Sequence, residues 1–428
     1  MSDNAPYVKW FRESTPYINA HRGRTFVLHV SGEALLSDNL TNIIGDMVLL
    51  NSLGVRLVVV FGATVQIDQH LDALGIETRF VDGVRVTTAE SLPGIQQAIG
   101  KIRSDIESRL SLGLVNSPQH GAEIVVTSGN FIRAKPYGVR DGVDFQHTGE
   151  VRKVHAKAIA GQLAAGAIVL VSSLGYSPSG EIFNVNSVEV ASEVAAALIA
   201  DKLIYLIDEE GLLDADGNLL TEMPMSEVPD DVDRLSPAAQ AKRAAQRGVS
   251  RCHLITFNRD GALLEELFTR DGAGTQISRT SYEQIRSATS EDVAGIIELI
   301  APLEAQGILV KRPRELLEAE IEHFIVIVRD GMIISCAALY PFGDKGELAC
   351  LATHPDYRDG DRGEALLAAI EARAKSLKMT SLFALTTHTA HWFTERGFRQ
   401  IDVDALPEKR RNLYNWQRNS KLFEKPLA

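Results

Sequence analysis

Cysteine is scarce in this chain: three thiols in 428 residues, Cys252, Cys336 and Cys350. The number is odd and no CxxC spacing occurs, so neither a disulfide framework nor a structural zinc site is expected, and no metal is assigned. Long apolar runs are also missing. No stretch approaches the roughly 18 apolar residues that span a bilayer, and the opening MSDNAPYVKWFRE has no apolar core or cleavage site; a cytoplasmic protein without membrane partners is expected. A basic excess is lacking too. The net charge is −12 and no basic stripe breaks it, which argues against nucleic acid as a partner. Low-complexity tracts and internal repeats are absent. What is present, 45% hydrophobic and 23% charged residues over this length, fits a globular chain of two or three domains.

The first part alternates apolar runs with amphipathic stretches: FVLHV at 26–30, LVVVFG at 57–62, IVLVSSLG at 168–175 and KLIYLID at 202–208. Runs apolar on both faces suit buried parallel strands. Helical periodicity between them, at 40–53 and 188–203, predicts βαβ repetition with helices on both faces of a mainly parallel sheet, an α/β class domain over about 1–280. A helix over 7–18 precedes it. Residues 279–283 read as a short connector and hinge, and from about 281 to 428 the pattern becomes α+β. YEQIRSA reads as a strand, and Ser290 as the cap of a helix through EDVAGIIELI. Strands follow at 323–329, 332–340 and 347–353, the first two joined by an Asp330-Gly331 turn. A helix over 364–377, strand SLFALTT, a short helix ending at RGF and a strand in RNSKLFEKP complete the order.

The segment Arg358-Asp359-Gly360-Asp361-Arg362-Gly363 lies between strand and helix, where backbone amides and the positive helix end can hold a pyrophosphate. With this element order, it resembles the GCN5-related N-acetyltransferase family, whose loop reads Arg/Gln-x-x-Gly-x-Gly/Ala. Asp361 departs from that pattern. The resemblance implies acetyl-CoA as co-substrate, with Arg358, Gly360, Arg362 and Gly363 at its pyrophosphate. It also implies Glu347 as general base, and the amides of Cys350 and Leu351 as donors to the thioester carbonyl. The family's usual acid, a Tyr before Gly-Phe, is missing from HWFTERGF, leaving His388, His391, Thr386 or water.

Over nearly its whole length the chain is similar to bacterial N-acetylglutamate synthases, through PYINAHRG, GVRLVVVFGA, ELFTRDGAGT, LEAQGILVKR, RGEALL, HWFTERGF and QRNSKL. This implies L-glutamate as acceptor, bound by Lys311, Arg312, Arg418 and Ser420; bidentate arginines suit its two carboxylates. The front part resembles amino-acid kinases as a three-layer α/β sandwich. Where that family needs Lys, bare Gly-rich turns and Asp, it has His29-Val30-Ser31-Gly32, Phe61-Gly62-Ala63-Thr64 and Asn184-Val185-Asn186-Ser187-Val188, so phosphoryl transfer is not expected. It further resembles the arginine-inhibited kinases. That implies L-arginine as inhibitor, held by Tyr17, Glu266, Gly272 and Gly274, in a homo-oligomer of the hexameric ring type. The competing readings are an acetyltransferase of another small amine, a working kinase, and an arginine-responsive scaffold.

Overall fold

The computed structural model describes residues 5–112, 124–279, 283–329, 331–358, 361–387, 389–415 and 420–427. Eight strands of the first part form one sheet: β1 (Thr25–Val30), β2 (Arg56–Phe61), β3 (Val126–Ser128), β4 (Ile168–Val171), β5 (Lys202–Ile207), β6 (Glu222–Pro224), β7 (Arg251–Thr256) and β8 (Thr275–Ser278). Their order is β6-β8-β7-β5-β1-β2-β4-β3, and each pair is parallel except β7 with β8. The central strands β1, β2, β4 and β5 are buried almost throughout, as two-sided apolar runs require.

Two separate cores lie on the two faces of this sheet. One packs α2 (Leu40–Ser52), α3 (Thr64–Ala73), α4 (Leu92–Leu112) and α8 (Ala262–Phe268) against the inward side chains of β1 and β2. The other packs α5 (Ala156–Ala164), α6 (Ser187–Leu198) and α7 (Pro237–Gln246). The three-layer sandwich expected from the periodicity is therefore present. Two details differ. The run IVLVSSLG breaks after Val171, its end becoming the strand Leu174–Tyr176 of a separate four-stranded barrel with Ile132–Pro136, Thr148–Val154 and Ile182–Val185. The helix read to residue 203 stops at Leu198, with Ile199 left-handed at φ 48° as its cap, and β5 begins at Lys202. The N-terminal helix α1 spans Ala5–His21, wider than 7–18, and His21 Nε2 donates to Leu267 O at 2.6 Å, tying α1 to α8.

Contacts divide the chain into Met1–Ser281 and Tyr282–Ala428. In the second unit β9 (Glu283–Ser287), β10 (Phe324–Arg329), β11 (Met332–Phe342), β12 (Lys345–Thr353), β13 (Ser381–Thr386), β14 (Arg399–Ile401) and β15 (Lys421–Pro426) run in the order β9-β10-β11-β12-β13-β15-β14. Only β12–β13 is parallel. Helices α9 (Val293–Ala305) and α10 (Arg314–Glu320) join one core; α11 (Arg362–Ser376) and α12 (Ala390–Glu395) join another. The cap before α9 is not Ser290. Thr289 and Asp292 form a reciprocal capping box around a 3-10 turn, and α9 starts at Val293. Residues 280–282 of the connector, and Asp330 of the hairpin turn, lie outside the described residues. Among the described residues no helix is long and apolar enough to cross a membrane, and no group of three or more His, Cys, Asp or Glu could hold a metal.

Three buried histidines in the first unit give it an acid sensitivity. Burial, then Lys202, lowers His21 to about 4; burial lowers His29 to about 3; burial and Lys202 lower His253 to about 4. An imidazole with a depressed folded-state pKa contributes stability above its unfolded value near 6.5, lost as pH falls toward the folded value. Between pH 7 and 5 each costs about 2 kcal/mol. Asp46, pushed up to about 7 by burial and then Asp260, works in the opposite direction and offsets about one of them. The denaturant midpoint of the first unit is therefore expected to fall from pH 7 to pH 5. A constant or rising midpoint would mean that the folded imidazoles take up protons freely.

Candidate functional site

In the second unit the strand carrying GELACLATHP is interrupted where chemistry was expected. Cys336 of β11 faces Ala352 of β12 and Ala338 faces Ala349, so Cys350 and Leu351 together oppose Ala337. This is a β-bulge, and it holds Cys350 at φ 53°, a left-handed conformation for a residue with a side chain. On the other edge, β12 pairs with β13 from Lys345/Ser381 to Leu348/Ala384 and no further, while β13 continues with β15 to Thr386. The two strands part at the bulge. Among the described residues, Cys350 and Leu351 thus have no register partner on either side, and they stand at the mouth of the split.

Glu347 stands at the start of this split, 8% exposed. Its carboxylate accepts two hydrogen bonds from one guanidinium, Arg410 Nε at 2.5 Å and Nη2 at 3.0 Å, from the short helix α13 (Glu408–Arg411). The fork-to-carboxylate geometry is the strong, directional form of this contact. Across the ladder, Glu347 faces Tyr340, whose hydroxyl donates to Glu320 at 2.7 Å. Burial, then that bond, pushes the phenol well above its usual range. Arg312 reaches the same cluster: its amide donates to Glu304 at 2.8 Å, and its guanidinium feels Cys350, Tyr340 and Glu347, which together outweigh the downward pull of burial. Arg312, Tyr340, Glu347, Cys350 and Arg410 therefore converge. Arg410 and Tyr340 were not found by sequence reasoning. The run EKRR at 408–411 looks like a solvated charge cluster, and only the fold turns one of its arginines inward.

The other expected residues of this unit are distributed as follows. Arg358 is exposed, at the end of the turn before α11. Arg362 is engaged, donating from Nε and Nη2 to Glu283 and from Nη1 to Tyr357 O. At Gly363 a Cβ would meet Trp392 at 3.2 Å, so the missing side chain serves helix packing. Asp361 is the N-cap of α11, and its side chain makes no cap bond to that helix's first amides. Lys311 is exposed, and Ser420 is buried with its carbonyl accepting from Tyr414. Thr386 Oγ1 lies 2.8 Å from Thr389 Oγ1, and His391 pairs with Glu395 on an exposed helix face. Gly360, Arg418 and His388 lie outside the described residues.

In the first unit the Glu266 side chain is only 5% exposed and is engaged through both of its oxygens. Its Oε2 accepts from the amides of Ala273 at 2.6 Å and Gly274 at 3.0 Å, and its Oε1 lies 2.6 Å from His253 Nδ1. The low His253 pKa keeps the imidazole uncharged at pH 7, so this is a hydrogen bond to a carboxylate and not an ion pair. His253 Nδ1–H donates to Glu266, and Nε2 accepts from Lys202 at 3.1 Å. Burial raises the Glu266 pKa, but His253 and the two amides more than reverse it, holding the carboxyl below its ordinary value. Gly272 adopts φ 70° with Glu266 Oε2 only 2.5 Å from where its Cβ would stand, so this position requires glycine twice over. Gly274, whose Cβ would collide with Leu254 O, requires glycine for space alone. Tyr17 packs at the edge of this core from α1, the helix that His21 fastens to α8.

The kinase-like segments also meet. His29, Gly32, Gly62, Thr64, Asn186 and Val188 line a common cavity at the carboxyl ends of β1 and β2. His29 is neutral there and hydrogen-bonded to Ser187, so it offers no lysine-like charge.

The arrangement has known counterparts. Residues 24–256 match the amino acid kinase family, and residues 320–400 match an acetyltransferase (GNAT) domain. An amino-acid acetyltransferase of Ectopseudomonas mendocina is 52% identical over 98% of this chain and 99% of its own. One of Pseudomonas aeruginosa is 51% identical with the same coverage. Among solved structures, N-acetylglutamate synthase from Neisseria gonorrhoeae with coenzyme A and L-arginine is 39% identical, covers 99% of both chains and gives a TM-score of 0.88. The same enzyme with coenzyme A and N-acetyl-glutamate gives 0.62 at 40% identity over 99% of both chains. An amino-acid-kinase sandwich followed by a GNAT sheet split at Cys350, matched from end to end at this identity, places the chain in the amino-acid acetyltransferase family.

Proposed function

We propose that this acetyltransferase moves the acetyl group of acetyl-CoA to the amine of L-glutamate, in a ternary complex, within the cluster of Arg312, Tyr340, Glu347 and Arg410. The observation that carries the proposal is the position of a buried carboxylate and two arginines beside the bulge at a split between strands. Glu347 takes the ammonium proton. The amine then attacks the thioester carbon while the amides of Cys350 or Leu351 hold the developing oxyanion. Collapse releases the thiolate of coenzyme A, with Thr386, His391 or water as its proton source. The pyrophosphate rests on the first amides of α11, with the exposed Arg358 nearby in sequence. Arg362 contributes by fixing that helix to Glu283. The two carboxylates of glutamate suit Arg312 and Arg410, joined by Lys311, Arg418 and Ser420. An arriving carboxylate competes for Arg410 and leaves Glu347 facing the ammonium.

The regulatory part of the proposal is that arginine binds the first unit around Tyr17, Glu266, Gly272 and Gly274 and lowers the acetylation rate, in a cytoplasmic ring of subunits, six by family likeness. A depressed carboxyl with lone-pair capacity remaining is a suitable partner for a guanidinium. Thiol release is to be measured with each amino acid in turn, with and without arginine. Glutamate is expected to stand alone as a good acceptor, and release with another amine but not glutamate would overturn the assignment. Because Glu266 also holds Ala273 and Gly274, the informative variant is Glu266→Gln, which keeps an acceptor for those amides. It should retain the basal rate and weaken arginine inhibition at least tenfold; unchanged sensitivity would move the arginine site elsewhere.

A further inference from the structure

The start of α11 is clasped to the turn before it by one side chain, and a residue 79 positions away holds that side chain in place. Arg362, the first residue of α11, donates from Nη1 to the carbonyl of Tyr357 at 3.1 Å, so its guanidinium ties the helix to the turn Pro355–Tyr357. The same guanidinium donates from Nε to both oxygens of Glu283, at 2.9 Å and 3.0 Å, and from Nη2 to one of them at 2.6 Å. A fork on a carboxylate fixes a plane as well as a distance.

Glu283 serves a second arginine. It opens β9, and its register partner on β10 is Arg329, whose Nη1 lies 3.5 Å from the same carboxylate. Both guanidinium groups lie near the ring of Tyr357, Arg362 at 5.2 Å and Arg329 at 5.5 Å from its centroid. The ring is buried, and the Glu283 and Arg362 side chains are 18% and 20% exposed, so solvent screens this cluster less than a surface ion pair. Two like charges share one ring, and the carboxylate between them offsets their repulsion.

We propose that Glu283 is a positioning residue for acetyl-CoA. It touches neither substrate. By holding the Arg362 fork on Tyr357 O, it fixes the first turn of α11 in the orientation that presents its amides to the pyrophosphate, so that the ordering precedes the ligand. The part played by Arg362 is then geometric: its charge is matched by Glu283, and its planar fork clasps turn to helix. This rests on the reading that the pyrophosphate lies at the start of α11, and it does not depend on which amine is acetylated.

The test is calorimetry of coenzyme A binding to the full chain, with KM for acetyl-CoA and for glutamate measured beside it. Glu283→Gln keeps an acceptor but cannot match the charge of the guanidinium. It should raise the coenzyme A dissociation constant about fivefold or more and leave the glutamate KM within about twofold. Arg362→Lys keeps the charge and loses the fork, so it should weaken binding as much. Both changes together should do no more than either alone, because each opens the same clasp. If Glu283→Gln does not fold, Arg362→Lys decides. Unchanged or tighter coenzyme A binding in Glu283→Gln, wild-type affinity in Arg362→Lys, additive losses in the double variant, or equal rises in both KM values would each overturn the assignment. Arg358→Glu isolates the underlying reading, because it places a negative charge beside the turn and outside the Glu283 cluster, and it should weaken coenzyme A binding. If it does so while Glu283→Gln does not, the positioning role alone falls; if it binds coenzyme A like the wild type, the pyrophosphate lies elsewhere and both fall.

Discussion

Glu347→Gln should lower kcat by about two to four orders of magnitude, the usual contribution of a positioned general base, and change acetyl-CoA binding by only a few-fold. Gln preserves the side-chain volume at a position only 8% exposed. It also keeps one oxygen to accept from Arg410, so the helix carrying that arginine stays supported. What it removes is the capacity to take the proton from the incoming ammonium. Rapid-mixing measurement of the acetyl-transfer step, with acetyl-CoA affinity measured separately, distinguishes this from a binding defect. A variant that turns over within threefold of the wild type with an unchanged pH-rate profile would strip Glu347 of the role.

Arg312→Met should raise the KM for glutamate roughly 10- to 100-fold, because a hydrogen bond to a charged group is worth about 1.5–3 kcal/mol and the replacement keeps only the aliphatic stem. The KM for acetyl-CoA should stay near the wild-type value. The split between the two constants is the diagnostic: loss of a carboxylate clamp acts on one substrate, whereas collapse of the α9–α10 loop would act on both. Equal rises in both would assign Arg312 a structural role through the loop that Glu304 anchors. Arg312→Lys should recover part of the affinity, since the charge returns without the fork.

The sandwich was legible because buried parallel strands write themselves as two-sided apolar runs; β1, β2 and β5 begin within a residue or two of where the runs do. The barrel strands were not legible. Stretches such as Leu174–Tyr176 and Ile182–Val185 are three or four residues long, with half-buried patterns too short to carry a period. At the proposed acetyl-transfer centre, Glu347, Cys350 and Arg312 were assigned through motif likeness. Arg410 was not, because it lies 63 residues from its partner and nothing in the chain's local pattern records a contact at that separation. Glu266 shows the converse. Likeness to the arginine-inhibited kinases assigned it to a ligand, and the fold surrounds it with His253 and two amides. Whatever it does for a ligand, it first orders the turn at 271–274.

The left-handed turn at Cys350 restricts what evolution can write in the middle of β12. A β-branched side chain, the usual choice for a central strand, is strained at positive φ, so Val, Ile and Thr are disfavoured at the one position where strand propensity alone would select them. Glycine would accept the conformation but would leave a hole against Cys336 and the α9 core. Cysteine is small, unbranched and apolar enough to meet both demands. A residue that looks like an invitation to covalent chemistry is thus accounted for by the shape of a bend.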